Sequence, residues 1–187
     1  MPNWTSNRIN IEGEPADTRA FLEAVKWEDE LFDFNRIVPR PEILNHTGSG
    51  FQTIDGQEVR SWYVVKEWEK DSPEQVRPFT PEEEAELKAI GHHDWYSWSI
   101  QNWGTKWNAC HAEIEDHSDY GYVEITFETA WCAPVPVLRK MVEMFPKLTF
   151  RCEWRHEDEN PYPHSLDEEP DPSPDLVAIV KAMAGAA

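Results

Sequence analysis

The chain is 187 residues long and carries 36 acidic against 17 basic side chains, a formal net charge of -19. That length supports one well-buried core and is short for two. The charge works against phosphate backbones, which are held by Lys and Arg, so direct nucleic-acid binding is disfavoured; a basic partner, or imitation of a nucleic acid's field, stays open.

Ten tryptophans, eight phenylalanines and five tyrosines supply the apolar payload. Each removes roughly 150–250 Å² from water when buried, which drives folding despite the polar average. The three cysteines, Cys110, Cys132 and Cys152, cannot pair completely and lack Cys-x-x-Cys spacing. Reduced, packed thiols in a cytoplasmic protein are expected. The opening MPNWTSNRINIEG has no basic stretch followed by an apolar one, so no signal peptide is read there. No apolar run approaches the roughly 20 residues of a membrane span. A soluble protein without membrane contact is the expectation.

Residues 4–11 alternate, with Asn7, Ile9 and Ile11 on one side and Arg8 and Asn10 on the other, as in a half-buried strand. GEPADTRAFLEAVKWE (13–28) follows as a helix, with Pro15 in its first turn and Phe21, Leu22 and Val25 as its apolar stripe. FDFNRIVPRPEIL (32–44) reads as extended with an X-Pro turn, and GSGFQTIDGQ (48–57) as a flexible, turn-prone break. VRSWYVVKEWEK (59–70) suits a helix, although Val64 and Val65 also suit a strand. FTPEEEAELKAIG (79–91) is a short helix, with Thr80 as its cap, Pro81 at its first position and Glu82 to Glu84 complementing its dipole.

Periodicity is clearer in the second half. Cys110, Ala112 and Ile114 alternate with His111, Glu113 and Glu115; Val123, Ile125 and Phe127 alternate with Glu124, Thr126 and Glu128. The turn-rich DHSDYG joins them as a hairpin. Val137, Leu138, Met141, Val142 and Phe145 then recur at helical spacing, and Leu148, Phe150, Cys152 and Trp154 at strand spacing. The order is strand, helix, long interruption, strand, strand, helix, strand. It predicts an α+β, ferredoxin-like β-α-β-β-α-β sandwich with an antiparallel four-stranded sheet. A long, partly helical insertion, about 31–107, lies between the first helix and the second strand. Residues 1–156 read as one domain; 157–187 read as an acidic, Pro-rich linker with a short C-terminal helix, which would offer a face to a second copy.

The free sheet face would carry Arg8, Asn10, His111, Glu113, Glu115, Glu124, Thr126, Glu128, Thr149, Arg151 and Glu153. That is a cross-strand charge lattice rather than the aromatic and basic platform that holds RNA.

The remaining residues offer three chemistries. His92, His93 and Asp94, the pair Cys110 and His111, and His117 concentrate soft metal ligands. Strand neighbours point to opposite faces and no two-plus-two spacing occurs, so no metal or cofactor is expected. Cys132 precedes a helix start, where a thiolate is stabilised. Glu113, Glu124 and Glu128 are the acid-base candidates. None of these makes catalysis the favoured class, and no catalytic residue is assigned. The sharpest feature is Trp103 and Trp107 flanking Gly104 and Lys106: either core packing or the wall of a binding groove.

Several stretches resemble one family, the YubB/Api92-like proteins with a ferredoxin-like domain, found on plasmids and in phages. They are Pro2-Asn3-Trp4 with Ser6-Asn7, FDFNRIVPRP (32–41), NWGTKWNA (102–109), FETAW (127–131) with its following prolines, and FPKLTF (145–150). Thr5 departs from the small polar or cysteine residue expected near the start. The resemblance implies the same architecture and a mobile-element or prophage origin, and supplies no reaction. The favoured expectation is a non-enzymatic binding protein that takes an unknown protein or small ligand in an aromatic-rimmed groove formed by Trp4, Asn35, Arg36, Asn102, Trp103, Lys106 and Trp107. The alternatives are an acidic DNA mimic that occupies a basic nuclease or host factor, and a carboxylate-dependent enzyme.

Overall fold

A computed structural model describes residues 3–65, 76–157, 159 and 164–168. In chain order the elements are β1 (Trp4–Glu12), α1 (Pro15–Val25), α2 (Glu42–Asn45), β2 (Thr47–Ile54), β3 (Gln57–Val64), β4 (Val76–Arg77) and α3 (Pro81–Ile90). There follow α4 (Trp95–Trp103), β5 (Cys110–His117), β6 (Tyr122–Ala130), α5 (Val135–Met144), β7 (Thr149–His156) and β8 (His164–Ser165). Among the described residues, those up to 39 and those from 100 onward make one unit, and residues 40–99 make another.

The first unit is built on an antiparallel sheet of order β5-β6-β1-β7-β8. Strict alternation buries one face: Thr5, Asn7, Ile9 and Ile11 of β1, Val123, Ile125, Phe127 and Thr129 of β6, and Cys152 and Trp154 of β7. Phe21, Leu22 and Val25 of α1 and Val137, Leu138 and Met141 of α5 are buried with them. Ring contacts knit this core: Phe21 meets Phe150 at 5.6 Å and Phe145 at 5.1 Å, and Phe127 meets Phe32 at 5.0 Å.

The sheet has five strands where periodicity predicts four. The added strand, β8, falls in the stretch read as an acidic linker. It is two residues long, too short for an alternating pattern, and it seats by a cross-strand ring pair: His164 lies opposite Trp154 with centroids 6.3 Å apart and planes at 18°. The C-terminal helix expected at 173–187, and the dimer expected through it, lie outside the described residues.

The second unit corrects the reading of 48–64. That stretch is a hairpin, β2 on β3, extended by β4, and neither a loose break nor a helix. Asp55 and Gly56 both have left-handed φ, 50° and 78°, and Ile54 pairs with Gln57 around them. An Asp-Gly pair with two positive φ angles makes the primed turn whose twist suits a hairpin, a signal outweighed in the sequence by the glycines at 48 and 50. Residues 66–70, the rest of the helical alternative, lie outside the described residues. Among the described residues, no helix is long and apolar enough to cross a membrane.

Helix α3 starts as its sequence requires. The Thr80 hydroxyl accepts the Glu83 N–H, and the Glu83 carboxylate accepts the Thr80 N–H at 2.8 Å. Arg77 adds a bidentate pair to the same carboxylate, 2.7 Å to each oxygen, while its guanidinium lies 4.4 Å from the Tyr63 ring centroid. The Arg77 hydrogen bonds first, and the Thr80 N–H second, hold the Glu83 carboxyl down at about 2, from 4.5. A carboxyl that titrates lower when folded contributes stability that is complete above about pH 4.5 and is lost as pH falls towards about 2. Glu83→Gln is therefore expected to destabilise this unit by about 1 kcal/mol at neutral pH. Its deficit should shrink as the medium is acidified through that window. Urea denaturation of both proteins across the range measures it, and a deficit independent of pH contradicts the assignment.

Candidate functional site

Helix α4 stops at Gly104, whose φ of 79° is left-handed. A Cβ there would stand 2.8 Å from Pro136 Cδ and 3.2 Å from the Ala133 carbonyl. Only glycine lets the 104–109 loop lie this close to the turn between β6 and α5. Thr105, fully buried, donates its hydroxyl to the Ala130 carbonyl at 2.8 Å and pins the loop to the end of β6.

The next residues then reach the surface as a row. Lys106 Nζ lies 5.3 Å from the Trp131 ring and 4.7 Å from the Trp107 ring. Trp107 contacts Trp4 at 6.2 Å, and Trp4 contacts His111 at 5.6 Å. His111 Nδ1 closes the row 2.7 Å from Glu128 Oε2. Trp107 is 36% and Trp131 42% exposed. A cation held over exposed aromatic rings gains roughly 0.5–1 kcal/mol, so the row is ordered by contacts that leave ring area in water.

Both ends of the row have strained backbone. His111 has φ 51° and Trp131 φ 71°. For residues with a Cβ this region costs about 1–2 kcal/mol each. His111 sits in a β-bulge: Cys110 pairs with Glu128 and Glu113 with Thr126, so β5 spends an extra residue there. Trp131 is the centre of a γ-turn, since the Ala130 carbonyl accepts the Cys132 N–H at 3.0 Å. The surroundings hold that turn in place: Trp131 N–H donates to the Asn3 carbonyl at 2.9 Å, and the Thr129 hydroxyl donates to the Cys132 carbonyl at 2.8 Å.

Of the residues singled out by sequence, Trp4, Lys106 and Trp107 come together here. Trp103 lies in the core, 1% exposed, with its indole N–H donating to the Val38 carbonyl at 2.8 Å and its ring 5.8 Å from Phe34. Asn35 donates its side-chain amide to Asp33 Oδ1 at 3.0 Å. Arg36 lies over the Trp27 ring at 5.1 Å and donates to the Ala24 carbonyl at 3.2 Å. Asn102 is half-buried in the last turn of α4. The row also takes in His111, Glu128 and Trp131, which the sequence reading left out. Alternation places His111 and Glu128 in the charge lattice, because a bulge leaves no mark on it. Trp131 had a signal, a bulky aromatic placed after the inward Ala130 and just ahead of Cys-Ala-Pro.

The catalytic candidates are placed less favourably. Burial pushes the Cys132 thiol up, although it reaches solvent, and also the Cys110 thiol; Cys152, deeply buried, is pushed up to about 12. Such thiols are poor nucleophiles. His92 is buried beside Ser97, and Asp94 accepts the Ser97 N–H at 2.7 Å, so neither is turned to a shared ion. On the free face, Arg8 pairs with Glu124 at 3.9 Å and Arg151 with Glu153 at 2.8 Å.

Because the backbone at 131 has a left-handed φ, glycine should tolerate that position better than alanine. Both variants lose the indole, so Trp131→Gly is expected to be about 1 kcal/mol more stable than Trp131→Ala. Equal urea midpoints for the two would show that the turn relaxes freely.

Residues 102–162 match the family model described as a ferredoxin-like domain in Api92-like protein. No curated protein and no solved structure matches the chain. Over the stretch from the end of α4 past β7, the chain therefore carries a ferredoxin-like domain similar to that of the Api92-like proteins.

Proposed function

We propose that the chain is a non-enzymatic binding protein of a mobile genetic element, and that a protein partner docks on the row Trp131, Lys106, Trp107, Trp4 and His111. The observation that carries this reading is the strained backbone at both ends of the row. Left-handed φ at a tryptophan and a histidine is retained only where neighbours enforce it, and such strain gathers at binding and catalytic sites. The composition agrees, since tryptophan is enriched among the few residues that dominate protein interfaces. The net charge of -19 favours a basic partner and speeds its encounter. The mobile-element origin rests on the family resemblance.

The two alternatives find less support. Arginines paired within the free face interrupt the uninterrupted negative field that a DNA mimic needs. Among the described residues, the carboxylates whose titration is clearly displaced, Glu83, Asp116 and Glu159, all move down. A general acid working near neutrality needs the opposite displacement.

Affinity purification from the native host separates these readings. Wild-type chain is expected to retain a partner that Trp107→Ala/Trp131→Ala loses by at least about tenfold, as hot-spot truncation does. Tyr120→Ala is the control: Tyr120 is 88% exposed and precedes β6, whereas Trp131 follows it. Equal recovery by the double variant, confirmed as folded, would sink the proposal.

A further inference from the structure

Beyond the aromatic row, the added strand β8 assembles a second group of side chains. It returns along β7 so that His164, the first residue of β8, comes beside His156, the last of β7, with Glu159 between them in the chain. One ligand atom from each of His156, Glu159 and His164 lies within 4.8 Å of the other two. His164 Nε2 stands 2.9 and 3.1 Å from the two Glu159 oxygens, and the imidazole centroids are 5.4 Å apart.

We propose that His156, Glu159 and His164 form a binding site for a divalent transition-metal ion, with zinc the best match. Two imidazoles and one carboxylate are the donor set that an ion of borderline softness selects over calcium or magnesium, which take oxygen ligands. Around a tetrahedral zinc with bonds of about 2.0–2.2 Å, neighbouring ligand atoms are about 3.3–3.6 Å apart. His164 and Glu159 need only part slightly to admit the ion. The widest separation allowed by 4.8 Å has to close by at most about 1.5 Å, within reach of side-chain rotation. Three protein ligands leave the fourth position to water.

The rings are also held as metal-ligating imidazoles are held. His156 Nδ1 lies 3.1 Å from the hydroxyl of Thr5, which is fully buried in β1. His164 is stacked on the buried Trp154. The hydrogen bond to Thr5 would set ring orientation and tautomer at His156, the stack on Trp154 ring orientation alone at His164, and loss of a hydrogen-bonded partner of the first kind typically costs about 10–100-fold in metal affinity. Glu159 Oε2 already accepts the His156 N–H at 2.9 Å, which fixes the carboxylate without exhausting its lone pairs. The chain's negative charge adds a general attraction for cations, and that is the effect the test has to separate from a site.

The full-length chain, stripped with a chelator, is titrated with Zn2+ by calorimetry and with Co2+ by visible absorption. One ion per chain is expected, with the intense visible bands of four- or five-coordinate Co2+. Glu159→Gln and His164→Ala should each weaken Zn2+ binding at least about tenfold, and Thr5→Val, which keeps every ligand and the strand, by about 10–100-fold. Glu82→Gln/Glu84→Gln on α3 should leave it unchanged. Circular dichroism checks each fold, and Glu159→Gln keeps the test decisive should His164→Ala not fold. The proposal is overturned if Zn2+ fails to saturate at one equivalent, if Co2+ stays octahedral, or if Glu159→Gln binds as tightly as wild type.

Discussion

The register of β1 on β6 sets the rest of the first unit. Nine pairs run without a slip from Trp4 opposite Ala130 to Glu12 opposite Tyr122. A shift of one residue would bring Arg8 and Asn10 into the core and turn Ile9 and Ile11 outwards, so burial of the alternating set fixes the register. Two consequences follow at the open end of the pair. Asn3, just ahead of β1, presents its carbonyl to Trp131, just past β6. Trp4 is brought to the same end of the sheet as the loop that carries Lys106 and Trp107.

The aromatic row begins where that regular pairing stops. On β5 the bulge lets His111 reach both Trp4 and Glu128, and beyond β6 the γ-turn brings Trp131 over Lys106. The Ala130 carbonyl is the common point: it accepts the Thr105 hydroxyl and the Cys132 N–H together, using both lone pairs. Each bond is worth on the order of 1 kcal/mol, comparable to the strain of one left-handed residue. The buried hydroxyls of Thr105 and Thr129 thus offset what the exposed Trp131 backbone costs.

Alternation and helical spacing make β1, α1, β5, β6, α5 and β7 legible in the sequence, because each turns one face inward, fully buried in β1 and β6 and half-buried in β5, and the pattern records that. The hairpin of the second unit is harder to see: its strands are half-exposed and its glycines and serines resemble a loop, so the turn chemistry at Asp55-Gly56 is its clearest mark. Within the candidate site, Lys106 and Trp107 stand out as unusual residues close together, and Trp4 enters through the family resemblance. His111, Glu128 and Trp131 join them through one extra residue and one three-residue turn, both non-periodic. His156, Glu159 and His164 depend on a two-residue strand, and the acidic, proline-rich sequence around them conceals it.

The two most distinctive strings of the family resemblance, FDFNRIVPRP and NWGTKWNA, prove to be one clasp. Asn108 accepts the Phe34 N–H at 2.8 Å and donates to Asp33 at 2.7 Å; Asp33, 4% exposed, also accepts the backbone and side-chain N–H groups of Asn35. Trp103 adds its indole bond to Val38 and its ring contact with Phe34. A carboxylate buried this deeply is costly without donors, and Asn35 and Asn108 supply three to its Oδ1, so Asp33, Asn35 and Asn108 stand or fall together. Phe34, Asn35, Trp103 and Asn108 therefore earn their places by closing the chain on itself. What that closure leaves over is Lys106 and Trp107, carried on a loop that Gly104 and Thr105 have already fixed. On the docking role proposed above, a partner would meet a surface that is already ordered, which lowers the entropy lost on docking.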